Sequence, residues 1–119
     1  MAEHNRVGAW GEQVAKEYLV ARGFAVADTD SRMGHKEVDI IAYKGARIHF
    51  VEVKTRSNSA VDPVEAIGPR KIRNIVRFAD GYLRMLGIRH TPQFDIIAVT
   101  GTPEAGVERL EYIPDAFLP

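Results

Sequence analysis

Apolar residues recur at helical spacing in two separate stretches of the chain. The first stretch predicts a helix from about Arg6 to Arg22, ended by Gly23 in a left-handed conformation. The second predicts a helix that begins at Pro69 and ends near Leu86, with Gly87 after it. The apolar stripe of this second helix is Ile72, Ile75, Val76, Ala79, Leu83 and Leu86. Each helix therefore has one face suited to packing against a sheet.

Strand-like runs combine with these helices in the order α-β-β-β-α-β-β. Their expected ranges are Phe24–Ala27, Glu37–Tyr43, Arg47–Lys54, Phe94–Val99 and Val107–Ile113. We expect Asp28–Gly34 to be a polar loop and Asp62–Ile67 to be a short helical turn. The long helix between the third and fourth strands makes a crossover, which favours parallel pairing. The predicted fold class is α/β, a mixed sheet flanked by helices.

Length and composition limit the remaining classes of protein. A chain of 119 residues suits one domain that spans residues 1–119 and has a single core. The absence of cysteine excludes a disulfide framework and a thiolate zinc site. The first residues are polar, unlike a secretory signal, and no apolar run approaches the ~20 residues of a membrane helix. We therefore expect a cytoplasmic protein without membrane contact.

The two central strands form a predicted hairpin around the turn Lys44-Gly45-Ala46. With Lys44 and Gly45 as the turn residues, Asp39 faces Phe50 and Glu37 faces Glu52. Four polar residues then share one face of the hairpin, at the end far from the turn: Glu37, Asp39, Glu52 and Lys54. The opposite face is core and carries Val38, Ile40, Ala42, Val51 and Val53.

In this register Asp39 and Glu52 are diagonal neighbours whose backbones lie ~7–8 Å apart. Their side chains reach a common point, where the mutual repulsion of two carboxylates favours binding of a divalent cation. The pattern also fits a solvated strand end that holds only a Lys–Glu ion pair. Because both faces of the strands are otherwise apolar, the cation site is a serious alternative to that simpler interpretation.

Sixteen basic and sixteen acidic residues cancel, which argues mildly against a nucleic-acid partner. Basic residues are nevertheless concentrated in the second helix, in a stretch that contains Asp80 as its single acid. From this stretch and the end of the third strand we select a candidate phosphate-binding set: Arg56, Arg70, Lys71, Arg73 and Arg77. The simpler alternative is a solvated helix face.

The spacing of Val38-Asp39, twelve intervening residues and Glu52-Val53-Lys54 is similar to the PD-(D/E)xK nuclease signature. Further motifs extend this similarity over residues 6 to 117. They are Gly8-x-x-Gly11-Glu12, Glu37-Val38-Asp39-Ile40-Ile41-Ala42, Phe50-Val51-Glu52-Val53-Lys54-Thr55-Arg56, Glu65-Ala66-Ile67-x-Pro69-Arg70-Lys71, Phe94-Asp95 and Ala116-Phe117. With these motifs the chain resembles the uncharacterised bacterial YraN-type family, relatives of archaeal Holliday-junction resolvases.

This resemblance implies a restriction-endonuclease-like core with Mg²⁺ or Mn²⁺ as cofactor. It implies that Asp39, Glu52 and Val53 bind the metal, that Lys54 activates the attacking water, and that Glu12 completes the acidic cluster. A role for Glu12 as the surface partner of Lys16 is the alternative. Two positions depart from the family pattern, since Lys36 stands where Gly is usual and Gln93 where Arg often precedes Phe-Asp.

The leading functional hypothesis is a metal-dependent endonuclease that hydrolyses phosphodiester bonds in structured DNA or RNA, with DNA as the favoured partner. Two alternatives stay open: a module that binds nucleic acid without cleaving it, and an adaptor that binds a protein. A homodimer is compatible with each of them. Asp95 either supports the acidic site or is a structural hydrogen-bond acceptor, and His35 is a weaker candidate for positioning water.

Overall fold

The structure, a computed structural model, describes residues 2–57, 63 and 66–117. Its elements are α1 (Ala2–Ala21), β1 (Ala25–Met33), β2 (Lys36–Lys44), β3 (Arg47–Arg56), α2 (Pro69–Leu86), β4 (Thr91–Thr102) and β5 (Gly106–Ile113). This order confirms the predicted α-β-β-β-α-β-β arrangement. Most of the helical turn expected at Asp62–Ile67 lies outside the described residues. Neither α1 nor α2, the helices of the described chain, is long and apolar enough to cross a lipid bilayer.

Five strands form one sheet in the order β1-β2-β3-β4-β5. Neighbouring strands are antiparallel, except that β3 and β4 run parallel. Helix α2 connects this parallel pair and supplies the crossover that parallel pairing requires. The predicted mixed sheet with flanking helices is therefore confirmed.

The two helices pack on opposite faces of the sheet. On one face, Ala15 and Leu19 of α1 belong to a buried cluster with Phe24, Ile40, Ala42, Val51, Ile97 and Val99. On the other face, three residues of α2 belong to a cluster with five strand residues. This second cluster consists of Ile75, Phe78, Ala79, Val38, Ile41, Ile48, Phe50 and Phe94. The sheet thus separates two apolar layers and is buried through its centre.

The buried stripe of α2 differs from the predicted stripe at two positions. Phe78 is buried although it was not expected in the stripe, whereas Leu86 is 57% exposed. Phe78 lies three residues after Ile75 and therefore shares its helix face. The stripe ends before the last turn of α2, where Met85 is also exposed.

The prediction of a short first strand and a polar loop at Asp28–Gly34 was wrong. Strand β1 continues to Met33 and pairs with β2 along its length. It is an edge strand whose side chains are mostly exposed, so it lacks the apolar alternation that marks a half-buried strand. Its backbone hydrogen bonds to β2, rather than side-chain burial, define it as a strand.

The central hairpin turns one residue later than predicted. Lys44 pairs with Arg47 and Gly45 has φ +59°, so Gly45-Ala46 forms the turn. The predicted pairings of Asp39 with Phe50 and of Glu37 with Glu52 were therefore wrong. Ile41 pairs with Phe50, and the same register places Asp39 opposite Glu52. Because the shift changes each pairing by two residues, it leaves the side-chain faces unchanged.

Val38 was predicted to share a sheet face with Ile40, and this prediction was wrong. Val38 packs in the α2 cluster, whereas Ile40 packs in the α1 cluster. The regular alternation of β2 is thus interrupted at Asp39, between these two residues. The interruption leaves Asp39 within reach of side chains from both helical layers.

Asp95 is fully buried and is a structural hydrogen-bond acceptor. Its carboxylate accepts hydrogen bonds from His49 Nδ1 (2.7 Å), Gln93 Nε2 (2.9 Å), the Tyr112 hydroxyl (2.8 Å) and the Asp115 N–H (3.0 Å). Burial raises the pKa of Asp95, but these hydrogen bonds outweigh burial and hold the pKa below its ordinary value. The network ties β3, β4, β5 and the following turn together.

Candidate functional site

Asp39 lies where β2 separates from β3. The last backbone pair between these strands is Ile40 with Val51. At the next residue of β2, a side-chain hydrogen bond replaces the backbone pairing. Oδ2 of Asp39 accepts this bond of 2.8 Å from the Val53 N–H. This bond fixes the carboxylate at the end of the hairpin and satisfies a backbone donor that the ladder no longer reaches.

Glu52 is the more buried of the two predicted acids and is only 8% exposed. Its Oε2 lies 3.1 Å from Nζ of Lys71, which is half-buried on α2. Its Oε1 is buried and receives no hydrogen bond within the described part of the chain. A buried carboxylate oxygen without a donor is costly, and a proton or a cation at this atom would lower that cost.

Helix α1 reaches the site through a close contact with β3. Gly11 is buried, and a Cβ atom added to it would lie 1.9 Å from Oγ1 of Thr55. Only glycine permits an approach this close. The next residue, Glu12, then extends toward Asp39 in the same cleft.

Asp30 is a site residue that we did not predict from the sequence. It lies on β1 with φ +50°, and the carboxylate oxygens of Glu12, Asp30 and Asp39 all lie within 4.8 Å of one another. A usable signal was present in the sequence, because a two-residue turn at Gly34-His35 places Asp30 opposite Asp39. We overlooked this signal because the segment was interpreted as a loop.

Burial and nearby negative charges raise the pKa of Glu12, Asp39 and Glu52. Burial is the main reason that the pKa of Glu12 rises to about 8, and a hydrogen bond with Asp30 and the charge of Asp39 add to it. Burial, followed by the charge of Asp39, also raises the pKa of Glu52 to about 8. Burial raises the pKa of Asp39, although the hydrogen bond from the Val53 N–H opposes it.

Lys71 partly compensates this negative charge. Burial lowers the pKa of its ammonium group, but the charge of Glu52 outweighs burial and raises the pKa above its ordinary value. The carboxyl groups of Asp39 and Glu52 remain within hydrogen-bonding distance of each other. Such a pair needs a shared proton or a cation.

An open cleft of about 260 Å³ connects these groups with solvent. It is lined by Val7, Gly8, Glu12, Asp39, Glu52, Val53, Lys54 and Thr55. The structure therefore brings together the predicted catalytic residues Glu12, Asp39, Glu52 and Lys54, together with Val53. Lys54 is exposed at the wall of the cleft, whereas the carboxylates are more deeply placed.

The five predicted nucleic-acid contacts fall into three groups. Arg70, Arg73 and Arg77 are exposed on α2 at three- and four-residue spacing, so they share one helix face. Lys71 lies off that face and contacts Glu52 instead. Arg56, at the end of β3, donates from Nε to Oγ1 of Thr100 at 3.3 Å.

Two further residues that we considered from the sequence lie in different surroundings. Glu37 forms an exposed ion pair of 3.1 Å with Arg32 of β1. His35 is exposed in the turn between β1 and β2. The carboxylates that line the cleft therefore come from α1, β2 and β3, Asp30 of β1 lies beside them, and Glu37 is engaged elsewhere.

Comparison with known proteins identifies relatives whose sequences match most or all of this chain. The family model described as "Uncharacterised protein family UPF0102" matches residues 11–99. A UPF0102 protein of Bacteroides thetaiotaomicron is 43% identical over 120 aligned positions, covering 100% of this chain and 98% of the relative. A second, from Bacteroides fragilis, is 42% identical with the same coverage. A third, from Chlorobaculum parvum, is 43% identical and covers 78% of this chain and 74% of the relative. The chain therefore belongs to the uncharacterised protein family UPF0102, the family that the resemblance to YraN-type proteins indicated.

Proposed function

We propose that this protein is a metal-dependent endonuclease that hydrolyses phosphodiester bonds in structured nucleic acid, with DNA as the favoured substrate. One observation carries the proposal. Glu52 Oε1 is buried without a hydrogen bond within the described residues, in a cleft that Glu52 shares with Asp39, Glu12 and Lys54. Oxygen-rich sites of this kind suit Mg²⁺ or Mn²⁺.

The chain's own groups fit such an ion. Asp39 and Glu52 hold carboxylates within hydrogen-bonding distance, and Val53 lines the cleft beside them. A divalent ion would offset the negative charge that raises the pKa of Glu52 and the burial that raises the pKa of Asp39. When bound, it would supply Lewis acidity toward a phosphate group.

Lys54 has a different role in this proposal. Its ammonium group is exposed at the cleft wall, where a substrate phosphate and an attacking water can reach it. Three ammonium hydrogens allow it to orient the water and to stabilise negative charge on the phosphate oxygens in the transition state. The D…ExK spacing, shared with PD-(D/E)xK nucleases, supports this division of roles.

The arginine face of α2, Arg70, Arg73 and Arg77, supports a polyanionic substrate. These exposed guanidinium groups present several phosphate contacts, which suits recognition of a nucleic-acid backbone. Helix α2 also carries Lys71, whose contact with Glu52 joins the helix of the arginine face to the acidic site. A substrate recognised through its backbone is selected by shape more than by base sequence.

The test is a cleavage and binding assay with four-way junctions, flaps, single strands and duplexes, each with Mn²⁺ and with chelator. We expect Mn²⁺-dependent cleavage of at least one structure by the wild-type protein. Lys54→Ala should lower the rate about 10²–10³-fold while preserving most of the binding. Lys44→Ala, at the turn end of the same hairpin, is the matched control and should retain the wild-type rate.

Binding without metal-dependent cleavage across the whole set would overturn the enzyme proposal and identify a non-cleaving module. Absence of binding at low salt would overturn the nucleic-acid partner as well and leave the protein-binding adaptor. Equal rates for Lys54→Ala and the wild type would remove Lys54 from the chemistry. The binding and cleavage results thus decide among the three functions considered, and the Lys54→Ala result tests the role of that residue.

A further inference from the structure

Strand β5 is one of the two edge strands of the sheet. Within the described chain its strand neighbour is β4, so the outer row of its backbone N–H and C=O groups points away from the sheet. The main contacts of α1 are with β1 to β4 and those of α2 are with β2, so this edge is not covered by the two helices. An exposed row of backbone groups is a template for pairing with another strand.

The regular part of β5 carries charges of both signs on one face. The segment Arg109–Ile113 pairs residue for residue with β4, and the register shifts just before it, at Glu108. Arg109 and Glu111 lie two residues apart and therefore on the same face, with 61% and 41% of their side chains exposed. Leu110 lies between them on the opposite face, where it packs against the α1 cluster. The edge therefore presents one cation and one anion side by side.

This charge pattern is complementary to itself in one register. A second copy of β5 that pairs antiparallel with the first is related to it by a two-fold axis normal to the sheet. Because side chains must stay on their own face, the axis passes through a residue position and the pairing changes two residues at a time. With the axis at Leu110, Arg109 of each copy lies opposite Glu111 of the other. An axis at Arg109 or at Glu111 would instead place like charges opposite each other, which destabilises a sheet.

Two observations on the single chain favour this pairing. Nη2 of Arg109 lies 3.8 Å from Oε1 of Glu111, which is too long for a hydrogen bond, so a closer carboxylate from a second copy would improve the contact. Val107, at the start of the strand, is apolar and 47% exposed. The register centred on Leu110 brings Val107 beside Ile113 of the second copy, so apolar surface is covered at both ends of the pairing.

We propose that the outer edge of β5 binds a second copy of this chain, with the two β5 strands antiparallel and the two-fold axis at Leu110. The pairing joins two five-stranded sheets into one continuous sheet. The residues that line the cleft and the arginine face lie on other elements, so each copy keeps both surfaces. The regular segment is short and makes a small interface, so the dimer should form in a concentration-dependent way.

The experiment is sedimentation velocity of the full chain in chelator at low salt, over a series of protein concentrations. The wild type should change from monomer to dimer as concentration rises. Arg109→Glu and Glu111→Arg should each weaken dimerisation about tenfold or more, because both cross-strand charge pairs become repulsive. An equimolar mixture of the two variants should dimerise like the wild type, since opposite charges then face each other again. Each variant keeps its own intrachain repulsion in the mixture, so this recovery reports the contact between copies.

A cysteine variant tests the register directly, because the natural chain contains no cysteine. Residues opposite each other on antiparallel strands have Cα atoms about 4.5–5.5 Å apart, a separation that a disulfide can span. Leu110→Cys should therefore form a disulfide-linked dimer on mild oxidation. Glu108→Cys is the matched control, since four residues of offset place its two copies about 13 Å apart along the strands. It should stay unlinked.

A wild-type protein that is monomeric at every concentration would overturn the inference. A dimer that neither charge variant weakens, or a mixture that does not recover, would show that the copies do not pair through β5. Equal linking of Leu110→Cys and Glu108→Cys would overturn the register. These measurements involve neither metal nor nucleic acid, so each of these failures would leave the proposed function intact.

Discussion

Nζ of Lys71 lies 3.1 Å from Oε2 of Glu52, so an ammonium group from α2 contacts the most buried acid of the cleft. The contact joins α2, the helix that carries the arginine face, to the acidic site. It also puts a monovalent cation where a divalent ion would compete for the same carboxylate. Under the proposed function, Lys71 would therefore compete with a metal ion for Glu52, in addition to the phosphate contact that we predicted for it.

Replacing Lys71 with alanine should increase Mn²⁺ affinity severalfold, because the metal no longer competes with the ammonium group for Glu52. Calorimetry at pH 8.5 measures this, since fewer protons then compete for the carboxylates. The metal-free protein should lose about 1 kcal/mol of unfolding free energy, a small value because Lys71 is 41% exposed. Arg73→Ala, an exposed change on the same helix, should leave Mn²⁺ affinity unchanged. Equal affinities in Lys71→Ala and the wild type would show that the lysine does not compete.

Stability of the metal-free protein should fall as pH rises from 5 to 8. Glu12 and Glu52 have a pKa of about 8 in the folded protein and an ordinary value of 4.5 otherwise. Because the folded protein binds these protons more tightly than the unfolded chain, the contribution to stability is fully present below pH 4.5. It is lost as the pH rises through about 8. Melting temperatures in chelator across this range measure the effect, and Glu52→Gln should flatten the curve. A melting temperature that rises over the same interval would contradict the assignment.

Gly11→Ala should destabilise the protein by about 1–3 kcal/mol and weaken Mn²⁺ binding, because the new Cβ would overlap Thr55 and push α1 from β3. Denaturant unfolding and calorimetry measure the two effects. Gly8→Ala is the control on the same helix, since nothing lies within 4 Å of its added Cβ. That variant should be neutral or more stable by up to about 1 kcal/mol. Similar losses of stability in Gly11→Ala and Gly8→Ala would show that the close approach of Gly11 to Thr55 is not the cause.

Affinity for nucleic acid should fall steeply with salt if the arginine face of α2 contacts phosphates. Replacing Arg70 and Arg73 together with alanine should weaken binding to every sequence. It should also reduce the slope of log affinity against log salt by about 0.9 for each phosphate that the variant no longer neutralises. Fluorescence anisotropy at several salt concentrations gives both quantities. Arg109→Ala, on exposed β5, is the control. An unchanged slope in the double variant would place the binding surface elsewhere.

Asp95→Asn should lower the unfolding free energy by about 3 kcal/mol without changing Mn²⁺ affinity. The amide nitrogen would face donors where the carboxylate accepts, and hydrogen bonds to a charged group are worth about 1.5–3 kcal/mol. Asp80→Asn, on exposed α2, is the matched control for a change of acid to amide. A normal melting temperature in Asp95→Asn would show that the network is dispensable.

Patterns that depend on local burial were predictable from the sequence. The hairpin was found because its strands are apolar, and its acids were recognised because they interrupt that pattern. The turn was misplaced by one residue, yet Asp39 and Glu52 still met, since a two-residue change in pairing preserves the faces. Glu12 was connected to the cleft only through the family resemblance, because nothing local shows that Gly11 brings its helix against Thr55.

The features that were missed depend on contacts between distant segments. Asp30 lies in an exposed edge strand whose polar sequence looks like a loop, and only pairing with β2 reveals its position. Lys71 and Glu52 are separated by the connection from β3 to α2, so no periodicity relates them. Sequence patterns describe the face of an element, whereas these contacts depend on how the elements are placed in space.

The Asp95 network also has a consequence for the order in which the chain acquires its structure. The carboxylates of the site come from residues 12–52, the continuous segment that contains α1, β1, β2 and β3. Asp95 can be buried at low cost only when Tyr112 and Asp115 have joined it, more than a dozen residues later. During synthesis the four carboxylates of the site therefore leave the ribosome before the residues that complete the parallel half of the sheet. Strand β5 and the turn after it supply the hydrogen bonds from Tyr112 and Asp115 that stabilise the Asp95 carboxylate at the centre of the sheet.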